Sequence, residues 1–323
     1  MRRLIEYVPF ICGSALVIGL SIFGPIHQFA DYHAFADQSN IGAIPHAADV
    51  LSNGAFALVA AWAAWSRPLH NLLRGRILLL RLRLPCSLYS RTGALLEANI
   101  GRSLQLCRGL WSVWFARRGS LPSNLLSQSP NSSTTAHQSK QTLWSVKSVA
   151  LNLFIFGLFA TSLGSGYYHW APDNMRLFWD RLPIVLTCAG LLGAAHADSA
   201  QGSRESHSFF PLILFLAGGV ASVLWWWFTD QDGEGDLRWY LLFQISPLVL
   251  VPIWHSIYPT PKRTRCLFAI ALLTYVFAKM AEMQDHTIYA WSGFITGHTA
   301  KHLLASVAAA LIAHALNTYK NPR

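Results

Sequence analysis

The amino-acid sequence predicts an all-α, polytopic membrane helix bundle, and three observations carry that prediction. Hydrophobic residues fill 53% of the 323 positions and charged residues only 12%, a balance that soluble folds of this size seldom show. Thirteen Trp, eighteen Phe and ten Tyr supply an aromatic load suited to lipid–water boundaries. Eight segments approach the roughly 20 apolar residues that a bilayer crossing needs at about 1.5 Å per residue. They lie near residues 8–29, 45–66, 148–169, 176–197, 208–228, 238–257, 264–283 and 289–316. This composition excludes disordered, collagenous and disulfide-stapled proteins. The cysteines Cys12, Cys86, Cys107, Cys188 and Cys266 contain no C-x-x-C pair, so they offer neither a thiolate zinc site nor a disulfide framework.

The first segment follows Met1-Arg2-Arg3 and has no small-x-small cleavage site after it, so residues 1–30 are expected to be a retained transmembrane anchor. Residues 31–66 hold an outer loop and the next helix. The segment 67–147 has twelve of the 25 Lys and Arg residues and a single acid, Glu97, leaving thirteen basic and fourteen acidic residues elsewhere. The net charge of +10 therefore belongs to one insert, which includes a Ser/Thr/Asn/Gln-rich tract from Ser120 to Ser139. Such a segment reads as a partly disordered cytoplasmic loop that touches anionic headgroups. No nucleic-acid partner is expected, because no recognition motif accompanies the charge. Residues 148–323 hold the six remaining helices.

Direction follows from where the basic residues sit between spans. Arg2, Arg3, the insert, Arg204, the Lys262-Arg263-Thr264-Arg265 cluster, Lys320 and Arg323 fall on one side if eight spans are crossed. The alternate loops carry Asp31, Asp37, Asp230, Asp232, Glu234 and Asp236 instead. Both termini are therefore expected in the cytoplasm of the cell.

Polar groups at membrane depth are costly, so each is a candidate for function. Ser165 and His169 are four apart on one helical face, and the hairpin broken by Pro172-Asp173-Asn174 can return Asp180 beside them. His298 and His302, again at i and i+4, project from one face at a spacing that suits a single ion. Three imidazoles with an open fourth position form a catalytic zinc arrangement, so His169, His298 and His302 are assigned as Zn2+ ligands. By the topology above they lie toward the non-cytoplasmic face, the pair roughly 10–15 Å in from the outer end of the last span. Asp180 then serves as proton acceptor and donor, and the Ser165 hydroxyl holds the water or donates to the oxyanion. Taken singly, His169 also fits an interfacial anchor, and a lone H-x-x-x-H is a weak motif. Bis-His haem is the rival reading, though its ligands usually come from different helices.

Lesser polar groups are expected to be structural. Lys279 and Glu282 form an internal pair or line a proton path, Asp49 and Asn53 hydrogen-bond across the bundle, and Lys301 points away from its two flanking ligands.

Ser165…His169, Asp180-Arg181-Leu182-Pro183 and His298…His302 together resemble the CREST superfamily of membrane hydrolases, and within it the alkaline ceramidases and their bacterial relatives. The Ile44–Asn53 stretch, closing in Ser52-Asn53, looks like the start of that family's first core helix. The resemblance runs from about Asp31 to His314, excluding the insert. It implies a seven-helix core plus one extra N-terminal transmembrane helix, a zinc ion on three histidines, and hydrolysis of a ceramide-like lipid substrate to a sphingoid base and a fatty acid. Alkaline ceramidases also bind calcium through an acidic N-terminal loop. Here that region offers Asp37, Gln38, Asn40 and His46 in a different pattern, which counts against Ca2+ as a second cofactor. The 80-residue insert lies outside the family pattern. A lipid esterase on the same scaffold and a non-catalytic receptor of the progestin and adipoQ type are the alternatives.

Overall fold

Helices dominate the structure, a computed structural model that describes residues 8–66, 145–200 and 208–318. Nearly all of the basic insert, the Arg204 loop and the two ends of the chain lie outside the described residues. In chain order come α1 (Val8–Phe23), a small antiparallel hairpin of β1 (Asn40–Ile41) and β2 (Ile44–Pro45), α2 (Ala47–Ser66), α3 (Val146–Trp170) and α4 (Asn174–Ser199). Then follow α5 (Phe210–Gln231), α6 (Arg238–Ile257), α7 (Lys262–Met283), α8 (Asp285–Ser292) and α9 (Gly297–Thr318). Seven of these, α2 to α7 and α9, are long and apolar enough to span a membrane. The all-α polytopic bundle is thus the architecture.

Most boundaries differ from the sequence reading by two or three residues, and three differences have a visible cause. The first apolar helix stops at Phe23 rather than continuing to residue 29, because Gly24 takes φ 94° and Pro25 follows, after which the chain is irregular to β1. The last predicted span, 289–316, is two helices. Gly293 at φ 75° ends α8, and Thr296 starts α9 as its cap, its Oγ1 accepting from the Thr299 backbone N–H at 2.9 Å. Helix α3 opens two residues before the expected 148, where the Ser145 side chain accepts from the Ser148 N–H.

In lipid, helices are not driven together by the hydrophobic effect; close packing of small residues and buried polar bonds hold them. The α3–α4 pair shows how. A Cβ on Gly164 would stand 2.1 Å from the Trp179 carbonyl oxygen, and one on Gly190 would stand 2.3 Å from the Phe154 nitrogen. Large apolar side chains such as Phe156, Leu163, Phe210, Ile213 and Phe277 point outward, where acyl chains would cover them. Inside, Phe154, Leu158, Leu192, Phe268 and Ala313 make one core, and Phe35, Tyr168, Leu177, Val223 and Trp226 make a second beneath the loop between α1 and β1.

That loop is pinned at several points. Asp236, between α5 and α6, accepts from the Ile26 N–H at 3.2 Å, from Trp225 Nε1 at 2.8 Å and from Arg238 Nε at 2.9 Å. Burial alone would raise its carboxyl pKa, but these donors outweigh it and hold the group down at about 2. Asp285 accepts from the Ala36 N–H at 2.9 Å, and His33 joins Tyr168 Oη and Asn174 Oδ1, each at 2.9 Å. The loop is therefore strapped over one end of the bundle.

Candidate metal centre

His169, the penultimate residue of α3, meets His298 and His302 from the first turns of α9 at that same end. One ligand atom from each lies within 4.8 Å of the others, and all three side chains are buried. Ring centroids are 4.5 Å apart for His169–His298, 4.8 Å for His298–His302 and 5.1 Å for His169–His302. Nitrogens sharing a tetrahedral ion at about 2.0–2.1 Å would stand roughly 3.4 Å apart, so small ring movements close the set. Because α9 begins at Gly297, the two histidines lie only about 1.5 and 7.5 Å along it, shallower than the single long span implied.

Hydrogen bonds select which ring nitrogens are free. The Ser52 hydroxyl donates to the Asp49 carbonyl at 3.0 Å and stands 2.8 Å from His302 Nδ1, so its oxygen accepts the Nδ1 proton. That leaves the His302 Nε2 lone pair, which is buried with no partner. His169 has neither ring nitrogen satisfied. Buried polar atoms without partners are rare, and three on converging imidazoles fit an ion-binding role. His298 differs: Lys301 Nζ donates to its Nε2 at 3.1 Å, and an ion on that nitrogen would have to displace the ammonium.

Lys301 therefore faces the histidines, contrary to expectation. The 100° offset from His302 is real, but Lys301 is three residues from His298 and so shares its side of the helix. Its ammonium also pairs with Glu282 Oε1 at 2.6 Å, whose other oxygen takes Lys279 at 2.5 Å. The expected Lys279–Glu282 pair is present, as two members of a three-residue network.

Asp180 is brought back by the α3–α4 hairpin against the Ser165 hydroxyl, and its Oδ1 has no partner. Both residues are buried and border a cavity of about 720 Å³, within the range of small-molecule sites. His298, Lys301 and His302 line its polar end, while Phe154, Leu158, Leu191, Leu248, Ala308 and Ile312 line its apolar depth. On α9 the lining runs from His298 to Ile312, fourteen residues or about 21 Å. Phe35 closes the centre, its ring 4.6 Å from those of both His169 and His298.

Sequence reasoning missed several supporting residues. Asp49 does bond across the bundle, but to Thr299 Oγ1 at 2.6 Å and Thr296 Oγ1 at 3.0 Å, while Asn53 turns back to the Asp49 carbonyl at 2.8 Å. Asp285 accepts from the His298 N–H at 2.7 Å. Only Thr296, directly before a glycine and a helical run, left a capping signal. Of the residues weighed for calcium, Asp37 accepts the Ser39 and Asp49 N–H groups at 2.9 Å each, and His46 Nδ1 lies 2.5 Å from the Asp37 carbonyl. Among the described residues the three histidines are the one group of His, Cys, Asp and Glu with metal-ligand geometry.

Fold and site define a multi-pass helical membrane protein with a buried three-histidine group that could hold a metal ion. Set against known proteins, the chain matches no family model, no curated protein and no solved structure.

Proposed function

We propose that this chain is a zinc-dependent intramembrane hydrolase of lipid amides, ceramidase-like, as its resemblance to the CREST superfamily implies. One observation carries the reading: three imidazoles converge, His169 and His302 with unpartnered nitrogens, and His298 and His302 line a long, largely apolar cavity together with Asp180, whose Oδ1 is free. A zinc ion on His169, His298 and His302 would supply Lewis acidity and make water nucleophilic near neutral pH. Asp180 takes the proton of the attacking water through its open Oδ1 and returns it to the leaving amine. Ser165 orients that carboxylate from one turn below His169. The apolar wall takes the acyl chain, and Phe35 with its strapped loop keeps bulk water from the reacting end. The same groups serve an ester as well as an amide. The site end of α9 lies opposite the Lys262-Arg263 start of α7, which supports a site toward the non-cytoplasmic face; with α1 taken as a further span, both termini are then inside.

Mass spectrometry of lipid extracts incubated with wild type and with His302→Ala tests this. An N-acyl lipid should fall and a free fatty acid and amine should rise with wild type alone, with zinc found by elemental analysis. A lipid profile unchanged by zinc-loaded wild type would sink the hydrolase and favour the receptor; a Soret band without zinc would point to haem.

A further inference from the structure

The cavity contains a charged group to which hydrolysis gives no task. Arg181 follows Asp180 on α4, is 1% exposed, and lines the same cavity. Its guanidinium carbon stands 3.9 Å from the Trp226 ring centre, 5.1 Å from Tyr240 and 5.3 Å from Tyr32. Three aromatic faces, from α5, α6 and the strapped loop, thus cage the cation. Gln28 Oε1 accepts from Nη2 at 2.9 Å, and its own amide is fixed by a 3.0 Å bond to Asn174. Nε and Nη1 have no partner.

A fully buried charge at membrane depth is costly, and leaving its donors unmade adds to the cost. Aromatic rings attract a guanidinium but do not neutralise it, and Arg181 forms no salt bridge with a described carboxylate. Asp180, its chain neighbour, hydrogen-bonds Ser165 and acts on the guanidinium only through space, without a salt bridge. Gln28 uses one of the five N–H donors, and the rest can form the paired bonds that a planar fork makes to a carboxylate or phosphate. Lysine would not offer that fork or stack so well.

We propose that Arg181 is the oxyanion anchor of the cavity, and that the ligand is an acidic amphiphile whose carboxylate or phosphate meets the caged guanidinium while its alkyl chain lies along the apolar wall. This deepens the hydrolase reading and rests on it in treating the cavity as the lipid site: the substrate then carries an acidic group, beyond the hydroxyls of plain ceramide.

The test reads binding, so it does not depend on turnover. Full-length protein in neutral-lipid nanodiscs would be titrated with dodecyl phosphate, laurate, dodecanol and inorganic phosphate, for wild type, Arg181→Met, Arg181→Lys and His302→Ala. Wild type should bind the two acidic amphiphiles at least tenfold more tightly than dodecanol, and inorganic phosphate far more weakly. That preference should vanish in Arg181→Met, shrink in Arg181→Lys and survive in His302→Ala. Equal affinity of wild type for dodecanol overturns the proposal, and needs no variant to fold. So does a preference that persists in Arg181→Met, or one lost in His302→Ala, which would put the anion on the metal. Inorganic phosphate binding as tightly as dodecyl phosphate would reject an amphiphile as the ligand. A hydrolase inactive on every lipid but still preferring acidic amphiphiles would fail the enzymatic reading alone.

Discussion

Ser52 governs which lone pair His302 presents, so a single hydroxyl should control metal affinity without touching the metal. Ser52→Ala removes the acceptor of the Nδ1 proton, frees the ring to turn or change tautomer, and should weaken zinc binding about 10–100-fold, as loss of such supporting bonds typically does. Competition with a chromogenic chelator measures it; an unaltered zinc affinity would show that the ring is held by packing against Phe56 instead. Asp180→Asn should keep zinc, because Asp180 is outside the three-histidine group, and should lose roughly 10²–10⁴ in rate if it moves the proton. Turnover at the wild-type rate would remove it from the chemistry. At this scale the sequence was informative where spacing along one helix decides geometry: His298 and His302 at i and i+4, and Ser165 below His169. It was silent on Asp49, Ser52 and Asp285, whose roles come from segments up to about 250 positions away in the chain. Lys301 escapes the spacing argument because its offset from His302 hides that it lies one turn from His298.

Between helices, the site depends on how closely α3 approaches α4, since α3 carries Ser165 and His169 and α4 carries Asp180. Gly164 is the close contact of this pair next to the site. Gly164→Val would drive side-chain carbon into the Trp179 carbonyl, already 2.1 Å from the Cβ position, and must push the helices apart. Overpacking of this kind costs about 1–3 kcal/mol, sometimes more. The variant should melt earlier in detergent and lose zinc together with activity. Gly166→Ala is the control, because open space surrounds that position, and it should leave both unchanged. A Gly164→Val protein with full metal content and wild-type melting would show that α4 can shift without disturbing the centre. Hydropathy made these spans legible, because lipid imposes length and apolarity on every crossing helix. It could not find the break at Gly293–Thr296, since apolar residues run on through Tyr289, Trp291, Phe294 and Ile295 and only a positive φ and a cap divide the two helices.

Across the whole molecule, the insert is the feature that the sequence exposes most plainly. No residue of 67–144 is among those that the sequence pattern assigns to the metal centre: His169, His298, His302, Asp180 and Ser165 all come from other segments. The chain ends that flank the insert can also be joined directly. Ser52, near the start of α2, contacts His302 near the start of α9, and Ser66, at the end of α2, accepts from Asn317 near the end of α9 at 3.3 Å, so these two helices run in the same direction. His169 puts the end of α3 at the starting end of both, so α3 is antiparallel to α2 and Val146 begins where Ser66 stops. Packed helices stand about 8–10 Å apart. Ten Gly and Ser residues reach about 17 Å in r.m.s. extent, which is enough to close that hairpin. Replacing residues 67–144 with such a linker removes eleven basic residues and Glu97, bringing the net charge from +10 to zero. The shortened protein should bind zinc and turn over lipid in detergent like the full chain, while its adsorption to anionic vesicles should fall and lose most of its salt dependence. Zinc content, turnover and vesicle co-sedimentation decide it. A folded deletion without zinc would mean that the insert supports the centre, and one that still adsorbs to anionic vesicles as the full chain does would place the membrane-surface contacts elsewhere.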